Sequence, residues 1–308
     1  MQAFKLLTAG PGADIVRRGH RGYRMQIGKL SILGVGLIGG AVGIAARAKR
    51  LAREVVGGFR RQESLDAALE VGAVDSGALD PAEAASGADF VVLGTGVALF
   101  EDILAAARDA LAPGAVVTDV GSTKARVVEA CERVLAARDD VHFVGSHPLA
   151  GSEQRGPRNA PAVELEGSVC VVTRGGSTDE AALAKVSEFW SALGMRVKVL
   201  GPVEHDERLA GASHMPHIVA AALVQSVGEG EADFTATGFR DATRIAAGDA
   251  ELWTEIVEAN AAEIAKRLRE FSSRLDDVAG WVERAEREKV LAFLAAAAEQ
   301  RRSMDGGE

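Results

Sequence analysis

Only two cysteines occur in the 308 residues, Cys131 in an Ala-rich helical stretch and Cys170 in a Val-rich strand candidate. Two isolated thiols supply neither a disulfide framework nor a metal-ligand cluster. Both are expected to be reduced and buried, which suits a cytoplasmic protein. Aromatic residues make up only 5% of the chain, so its core must come from Val, Leu, Ile and Ala, a composition that favours helices packed closely on a Val-rich sheet. No apolar run approaches the roughly 18–20 residues that span a bilayer. Positive charge is also in deficit: 35 Lys and Arg against 44 Asp and Glu leave a formal net charge of −9. That balance excludes a general nucleic-acid binder, which needs clustered cations to meet phosphates. Small anionic ligands stay open, because local arginines decide their binding. There is no internal repeat. Residues 1–26 include Arg17, Arg18, Arg21 and Arg24 but no long apolar core and no small-residue cleavage site. They do not read as a secretory signal and are expected to form a disordered leader, with Met25 an alternative natural start.

Beyond that leader, strand and helix patterns alternate. Short apolar runs at 29–33, 54–59, 88–93, 115–120 and 141–145 read as strands, and helices are expected over 37–53, 64–71, 99–111 and 122–137. Ser64 is the expected cap of the second helix. Continuous apolar runs suit strands buried on both faces, and their alternation with helices indicates βαβ units in a parallel sheet. A polar loop with Gly and Pro covers 151–166; strands at 168–173 and 196–200 flank a helix at 178–193. After Pro202 the strand pattern stops, and helical periodicity runs over 204–228, 250–275 and 281–302. The boundaries that follow are a first domain over 27–201, an all-α domain over 202–302 and a frayed tail over 303–308.

The first strand runs into Gly34-Val35-Gly36-Leu37-Ile38-Gly39. In a G-x-G-x-x-G turn the first glycine permits the sharp bend and the second lets a pyrophosphate approach the backbone. The third lets the helix lie close to the strand, with its N-terminus facing the phosphates. Glycine-rich loops are common, but this one follows a strand, opens a helix and heads a βαβ run, which is the context that gives the pattern meaning. The fold class expected is therefore α/β, a Rossmann-type dinucleotide-binding domain followed by the all-α domain. An acidic residue closing the second strand would bind the adenosine ribose and favour NAD. Here Phe59-Arg60-Arg61 stands in that place. Two guanidiniums can fork onto a ribose phosphate, so NADP is the favoured cofactor; NAD is the alternative if the arginines merely line a solvated turn.

Candidate chemistry clusters where strands end. Gly145-Ser146-His147-Pro148-Leu149-Ala150-Gly151-Ser152-Glu153 follows a strand, and the carboxyl ends of sheet strands are where α/β proteins bind ligands. An imidazole there can take a hydroxyl proton near neutral pH; taken alone, His147 could equally be a structural hydrogen bonder. Ser122, in Asp119-Val120-Gly121-Ser122-Thr123-Lys124, either caps the next helix or turns its hydroxyl towards the cleft. In the helical part, Ser213-His214-Met215-Pro216-His217 brings two histidines beside a proline, and the loop Gly238 to Arg244 offers a guanidinium for a carboxylate. Trp253 and Asn260 follow; for Trp253 core packing is the plain reading.

Taken in order, the glycine turn, the 119–124 segment, 145–153, 213–217 and 238–244 resemble the prephenate/arogenate dehydrogenase family over about residues 27–290. The resemblance implies an NAD(P)-dependent oxidative decarboxylation of a cyclohexadienol that carries a ring carboxylate and a carboxylate-ended side chain. It implies that His147 accepts the ring hydroxyl proton and that Ser122 orients the hydroxyl and the histidine beside the cofactor. Arg244 would hold the ring carboxylate, with Glu153 and Asp241 ordering the network around it. His217 would lie at the side-chain end, which leans towards prephenate over arogenate, and Ser213 and Trp253 would line the pocket. The cofactor would rest on Gly34, Gly36, Leu37, Ile38, Gly39, Arg60, Arg61 and Ser122. The resemblance also implies a homodimer through the helical domain, with no metal, nucleic acid or membrane partner. The chain is expected to end short of any carboxyl-terminal regulatory module, which would leave tyrosine feedback to the active site. A β-hydroxyacid or 6-phosphogluconate-type dehydrogenase is the alternative enzyme, but it would want a catalytic lysine, and Lys266 lacks the surroundings. A non-catalytic NADP-sensing regulator would have no use for His147, Ser122 and Arg244 together.

Overall fold

The computed structural model describes residues 26–151 and 154–305. The expected leader up to residue 25, Ser152, Glu153 and the last three residues lie outside the described residues. The chain divides into two compact units, with the break between His205 and Asp206.

The first unit opens with β1 (Ile27–Leu33), α1 (Leu37–Ala48), β2 (Ala52–Gly58), α2 (Gln62–Glu70), β3 (Ser76–Ala78) and α3 (Pro81–Ala85). It continues through β4 (Phe90–Leu93), α4 (Phe100–Ala107), β5 (Val116–Asp119), α5 (Ala125–Leu135) and β6 (His142–Phe143). These six strands form one sheet in the order β3-β2-β1-β4-β5-β6, every pair parallel. The order reverses between β1 and β4, and the carboxyl ends of those strands are where a doubly wound sheet takes its ligand. Alternate residues point to opposite faces. In β4, Phe90 and Val92 join the core with Ile32, Val42, Phe189 and Trp190, whereas Val91 and Leu93 join Phe100, Leu104, Val117 and Val127 on the other side. Burial on both faces explains the unbroken apolar runs. Each such side chain contributes about 1.5–3 kcal/mol.

A separate three-stranded sheet completes the unit: β7 (Ser146–Pro148), β8 (Val169–Thr173) and, after α6 (Glu180–Ala192), β9 (Arg196–Leu200). β7 runs antiparallel to β8, and β8 parallel to β9. After α7 (Pro202–Leu209), in which the break falls, the second unit is helical: a π turn over Ala210–His214, α8 (Met215–Gln225), α9 (Thr237–Thr243), α10 (Ala250–Ala259), α11 (Ala261–Glu283) and α12 (Arg287–Asp305). Among the described residues no helix is long and apolar enough to cross a membrane.

Several boundaries differ from those expected, each for a local reason. α1 stops at Ala48, not Arg53, because Arg50 turns left-handed at φ 54° and Leu51 bonds back to Ala46 before β2 begins. α2 starts at Gln62, so Ser64 lies inside its first turn, and the cap position is Arg61 without a side-chain bond. α5 begins at Ala125, so Ser122 does not cap it. β3 and α3 are too short to show periodicity; Asp80, accepting from Glu83 N, marks the start of α3. The last two helices part at Ala285, which has φ 51°, instead of between 275 and 281. α12 runs on to Asp305, past the expected tail boundary. The 237–243 stretch, expected as a loop, is helical where it packs on α8.

Candidate active site

The glycine turn joins β1 to α1. Gly34 has φ +103°, and a Cβ there would come within 2.5 Å of Thr95. A Cβ on Gly39 would lie 2.3 Å from the Gly34 carbonyl oxygen, so the helix can approach the strand only without a side chain. Gly36 differs: it is the N-cap of α1, and a Cβ there would meet nothing within 4 Å. Its backbone is thus bare towards open space at a helix N-terminus, with no acidic residue in the first turn to repel an anion. The turn fits a pyrophosphate on steric and electrostatic grounds together. Leu37 and Ile38 form the first turn of α1. Past the end of β2, Arg60 and Arg61 are exposed, without an ion-pair partner among the described residues.

Beside this turn a polar network lies wholly inside the protein. Asp119, at the end of β5, and Lys124 are both fully buried and form an ion pair of 2.5 Å. The Asp119 carboxylate also accepts the backbone N–H groups of Gly121 and Ser146, at 2.8 and 2.9 Å. Burial raises the proton affinity of this carboxyl above the ordinary range, and the ammonium and the two N–H donors work against that rise. The Ser146 hydroxyl donates to Asp119 O at 2.5 Å and accepts the Trp190 indole N–H at 2.9 Å. Thr118 Oγ1 lies 2.7 Å from both Val144 O and Ser146 Oγ. The residue before His147 is therefore held through both its N–H and its hydroxyl.

His147 itself is buried in β7, and its Nδ1 lies 2.9 Å from Nε2 of His205, in the first half of α7. Its backbone lies opposite Val171 in the antiparallel pairing of β7 with β8. Both cysteines are free and buried, and burial pushes their thiols well above the ordinary range. Ser122 is half-buried, and its hydroxyl makes no hydrogen bond among the described residues, to His147 or any other. His205 stood in no sequence motif. It is legible only once β7 and α7 are seen side by side. Thr118 and Trp190 also lay outside every motif, and Ser146 stood in the 145–153 stretch without an assigned role.

In the second unit the π turn carries Ser213 and His214. Such turns are uncommon and cluster at functional sites. Pro216 then opens α8 in its first turn, where a missing N–H costs nothing. The His217 ring stacks on Trp253, with centroids 3.5 Å apart and planes 12° apart. Trp253 is half-buried and lies flat against that ring. Gly248 lies against both rings: a Cβ there would stand 2.7 Å from the indole nitrogen and 3.0 Å from His217 Cε1. His217 Nδ1 is buried without a hydrogen-bond partner among the described residues, and burial lowers its pKa. Asn260 donates to Asp206 O at 2.8 Å and lies 3.2 Å from His214 Nδ1, closing α10 onto this cluster. Asp241 and Arg244 are exposed, on α9 and on the turn after it. Glu153 lies outside the described residues. Lys266 is exposed and pairs with Glu263 at 3.4 Å, a surface setting unlike that of a catalytic amine. No cluster of three metal-ligating side chains occurs among the described residues.

Known proteins divide along the same lines. The family model for the prephenate dehydrogenase nucleotide-binding domain matches residues 42–199, and that for the prephenate dehydrogenase dimerization domain matches 201–296. The chain is 31% identical over 280 residues to prephenate dehydrogenase of Bacillus subtilis, covering 88% of this chain and 74% of that one. Among solved structures it resembles prephenate dehydrogenase from Aquifex aeolicus in complex with hydroxyphenyl propionate and NAD+. That match has a TM-score of 0.81 and 29% identity, over 90% of this chain and 98% of that one. Synechocystis arogenate dehydrogenase matches at a TM-score of 0.75 and 27% identity, over 90% and 99%.

Proposed function

The chain belongs to the prephenate dehydrogenase family, and from that premise we propose that it oxidatively decarboxylates prephenate, arogenate or both, with NADP the preferred acceptor. The observation that carries this reading is that both family domains match in sequence over 42–199 and 201–296. When bound, NAD(P) supplies the acceptor for the hydride.

The chain's own groups are assigned as follows. The bare backbone at Gly34, Gly36 and Gly39, with Leu37 and Ile38, cradles the pyrophosphate. Arg60 and Arg61, exposed at the end of β2, take the ribose phosphate of NADP. His147 accepts the ring hydroxyl proton at Nε2, and Ser122 orients that hydroxyl and the histidine. Arg244 holds the ring carboxylate, with Asp241 and Glu153 ordering the charges around it. His217, neutral because burial disfavours its cation, offers its unpartnered Nδ1 to the side-chain end of the substrate, and Ser213 and Trp253 line that end. Loss of carbon dioxide aromatises the ring and makes the step irreversible. The apolar side chains of Leu275, Val282, Leu291 and Leu294, 52–63% exposed on α11 and α12, suit burial against a second copy, as the name of the matched domain leads one to expect. The two free, buried thiols fit a cytoplasmic enzyme.

The test crosses prephenate and arogenate with NADP and NAD and follows reduced-cofactor absorbance. Turnover is expected with at least one substrate and faster with NADP. Arg60→Ala/Arg61→Ala should lower NADP affinity about tenfold or more and leave NAD unchanged. His147→Asn should lose at least ~10²-fold in kcat. Absence of turnover in all four combinations, with NADP still bound, would remove the function and leave the fold.

A further inference from the structure

We propose that His205 is a positioning residue for the reaction: by accepting the Nδ1 proton of His147 it fixes the tautomer in which Nε2 is the free base. The inference rests on the reading of His147 as the base. The geometry that carries it is the 2.9 Å contact from His147 Nδ1 to His205 Nε2, both rings buried.

Two neutral imidazoles joined nitrogen to nitrogen share one proton on that line, so one ring donates and the other accepts. If His205 were the donor, His147 Nδ1 would be the acceptor. Its remaining proton would then sit on Nε2, and the ring would have no lone pair for a substrate hydroxyl. If His147 is the donor, its Nε2 is bare. A base at Nε2 therefore requires the second arrangement, and His205 must present Nε2 as a lone pair and keep its own proton on Nδ1. The partner of a catalytic histidine does this work elsewhere as a carboxylate. Here it is a second imidazole, which orients the ring without burying a negative charge behind it.

The backbone arrangement leaves His147 little other choice. Its backbone is fixed in the β7–β8 ladder, opposite Val171. The preceding residue, Ser146, is bonded through its N–H and its hydroxyl to Asp119 and through its oxygen to Trp190. The strand therefore delivers the ring to one place, and His205, on α7, determines which nitrogen faces away. A residue that merely filled space here would need no ring nitrogen 2.9 Å from another.

The test uses the full-length protein. NMR of isotope-labelled histidine at about pH 8, where ordinary imidazoles are neutral, reads the tautomer directly, with His147 assigned by the signal missing in His147→Asn. The expected result is a protonated Nδ1 and a bare Nε2; the reverse pattern overturns the proposal. Kinetics supply the second arm. His205→Leu should lower kcat at least about tenfold, a part of the ~10²–10⁴ that a positioned base contributes, with KM for substrate and cofactor changed less than about threefold. His205→Gln, whose amide oxygen can accept the same proton, should recover most of that loss. Wild-type kcat in the Leu variant, or a Gln variant as impaired as Leu, would overturn the positioning role. Should the Leu variant fail to fold, the NMR pattern and the Gln variant decide. Failure of the underlying reading looks different: His147→Asn would then remain active. An inactive His147→Asn beside a fully active His205→Leu would sink only the role of His205.

Discussion

Lys124→Met isolates what the buried Asp119–Lys124 pair contributes. Both side chains are fully buried, so the substitution leaves a carboxylate inside the protein facing two backbone N–H groups, those of Gly121 and Ser146. Breaking a buried pair from one side costs about 3–5 kcal/mol. An independent bound comes from the proton. Asp119 can escape its charge by binding one, and neutralising a carboxyl of ordinary pKa ~3.9 at pH 7 costs about 4 kcal/mol, at 1.36 kcal/mol per unit. The two figures agree. At pH 5 the same escape costs only about 1.5 kcal/mol. The sign follows: in the variant the folded state holds a proton that the unfolded chain lacks, so stability falls as pH rises. Urea unfolding of both proteins should show a destabilisation near 4 kcal/mol at pH 7, shrinking towards 1.5 kcal/mol at pH 5. A Tm lower by about 8–16 °C at neutral pH is the thermal counterpart for a domain of this size. A loss below 1 kcal/mol at pH 7, or one that grows on acidification, would refute the reasoning. Because Asp119 also holds the N–H of Ser146, kcat should fall along with stability.

Gly36→Ala and Gly39→Ala should separate binding from packing. The first adds a methyl to open space: stability is expected within about 1 kcal/mol of wild type, while NAD(P) affinity, measured by calorimetry, falls tenfold or more. The second forces a Cβ to within 2.3 Å of the Gly34 carbonyl and should cost about 1–3 kcal/mol even without cofactor; the opposite pattern would contradict the cradle. For His217, burial depresses the folded pKa. The unfolded chain therefore takes up a proton that the folded ring refuses, and the stability is complete above the ordinary value near 6.5 and lost as pH falls below it. Replacing His217 with Phe, which preserves stacking on Trp253, should flatten the decline between about pH 7 and 5.5 in denaturant titrations. An unchanged decline would assign it to other groups.

The sheet was legible in the sequence because strands buried on both faces are written as unbroken apolar runs, as in Phe90–Leu93. The glycine turn could be read because each glycine has its own steric task. Helix ends were less so. Arg50 and Ala285, neither of them glycine, take left-handed backbone conformations at φ 54° and 51°, and nothing local in the sequence announces it. The 145–153 stretch pointed to His147 by residue type and place, but not to its partner. His205 lies 58 residues away in the chain, and only the pairing of a second sheet, with β7 antiparallel to β8, brings the two together. For Trp253 the sequence left core packing and pocket lining open, and its partner His217, 36 residues earlier in the chain, was not written in its spacing.

The order of the strands bears on how such a protein can change over generations. The arginines that follow β2 and the aspartate that ends β5 are separated by β1 and β4, three strand spacings of about 4.8 Å each. The anchoring of His147 runs through Ser146 to Asp119 on β5, in the same sheet as β2 but three strands away from Arg60 and Arg61. Drift at the arginines can therefore exchange one dinucleotide for another while every hydrogen bond behind the histidine stays as it was. Two traits that must work together in each turnover are thus inherited on separate strands of one sheet, far enough apart for selection to alter one without endangering the other.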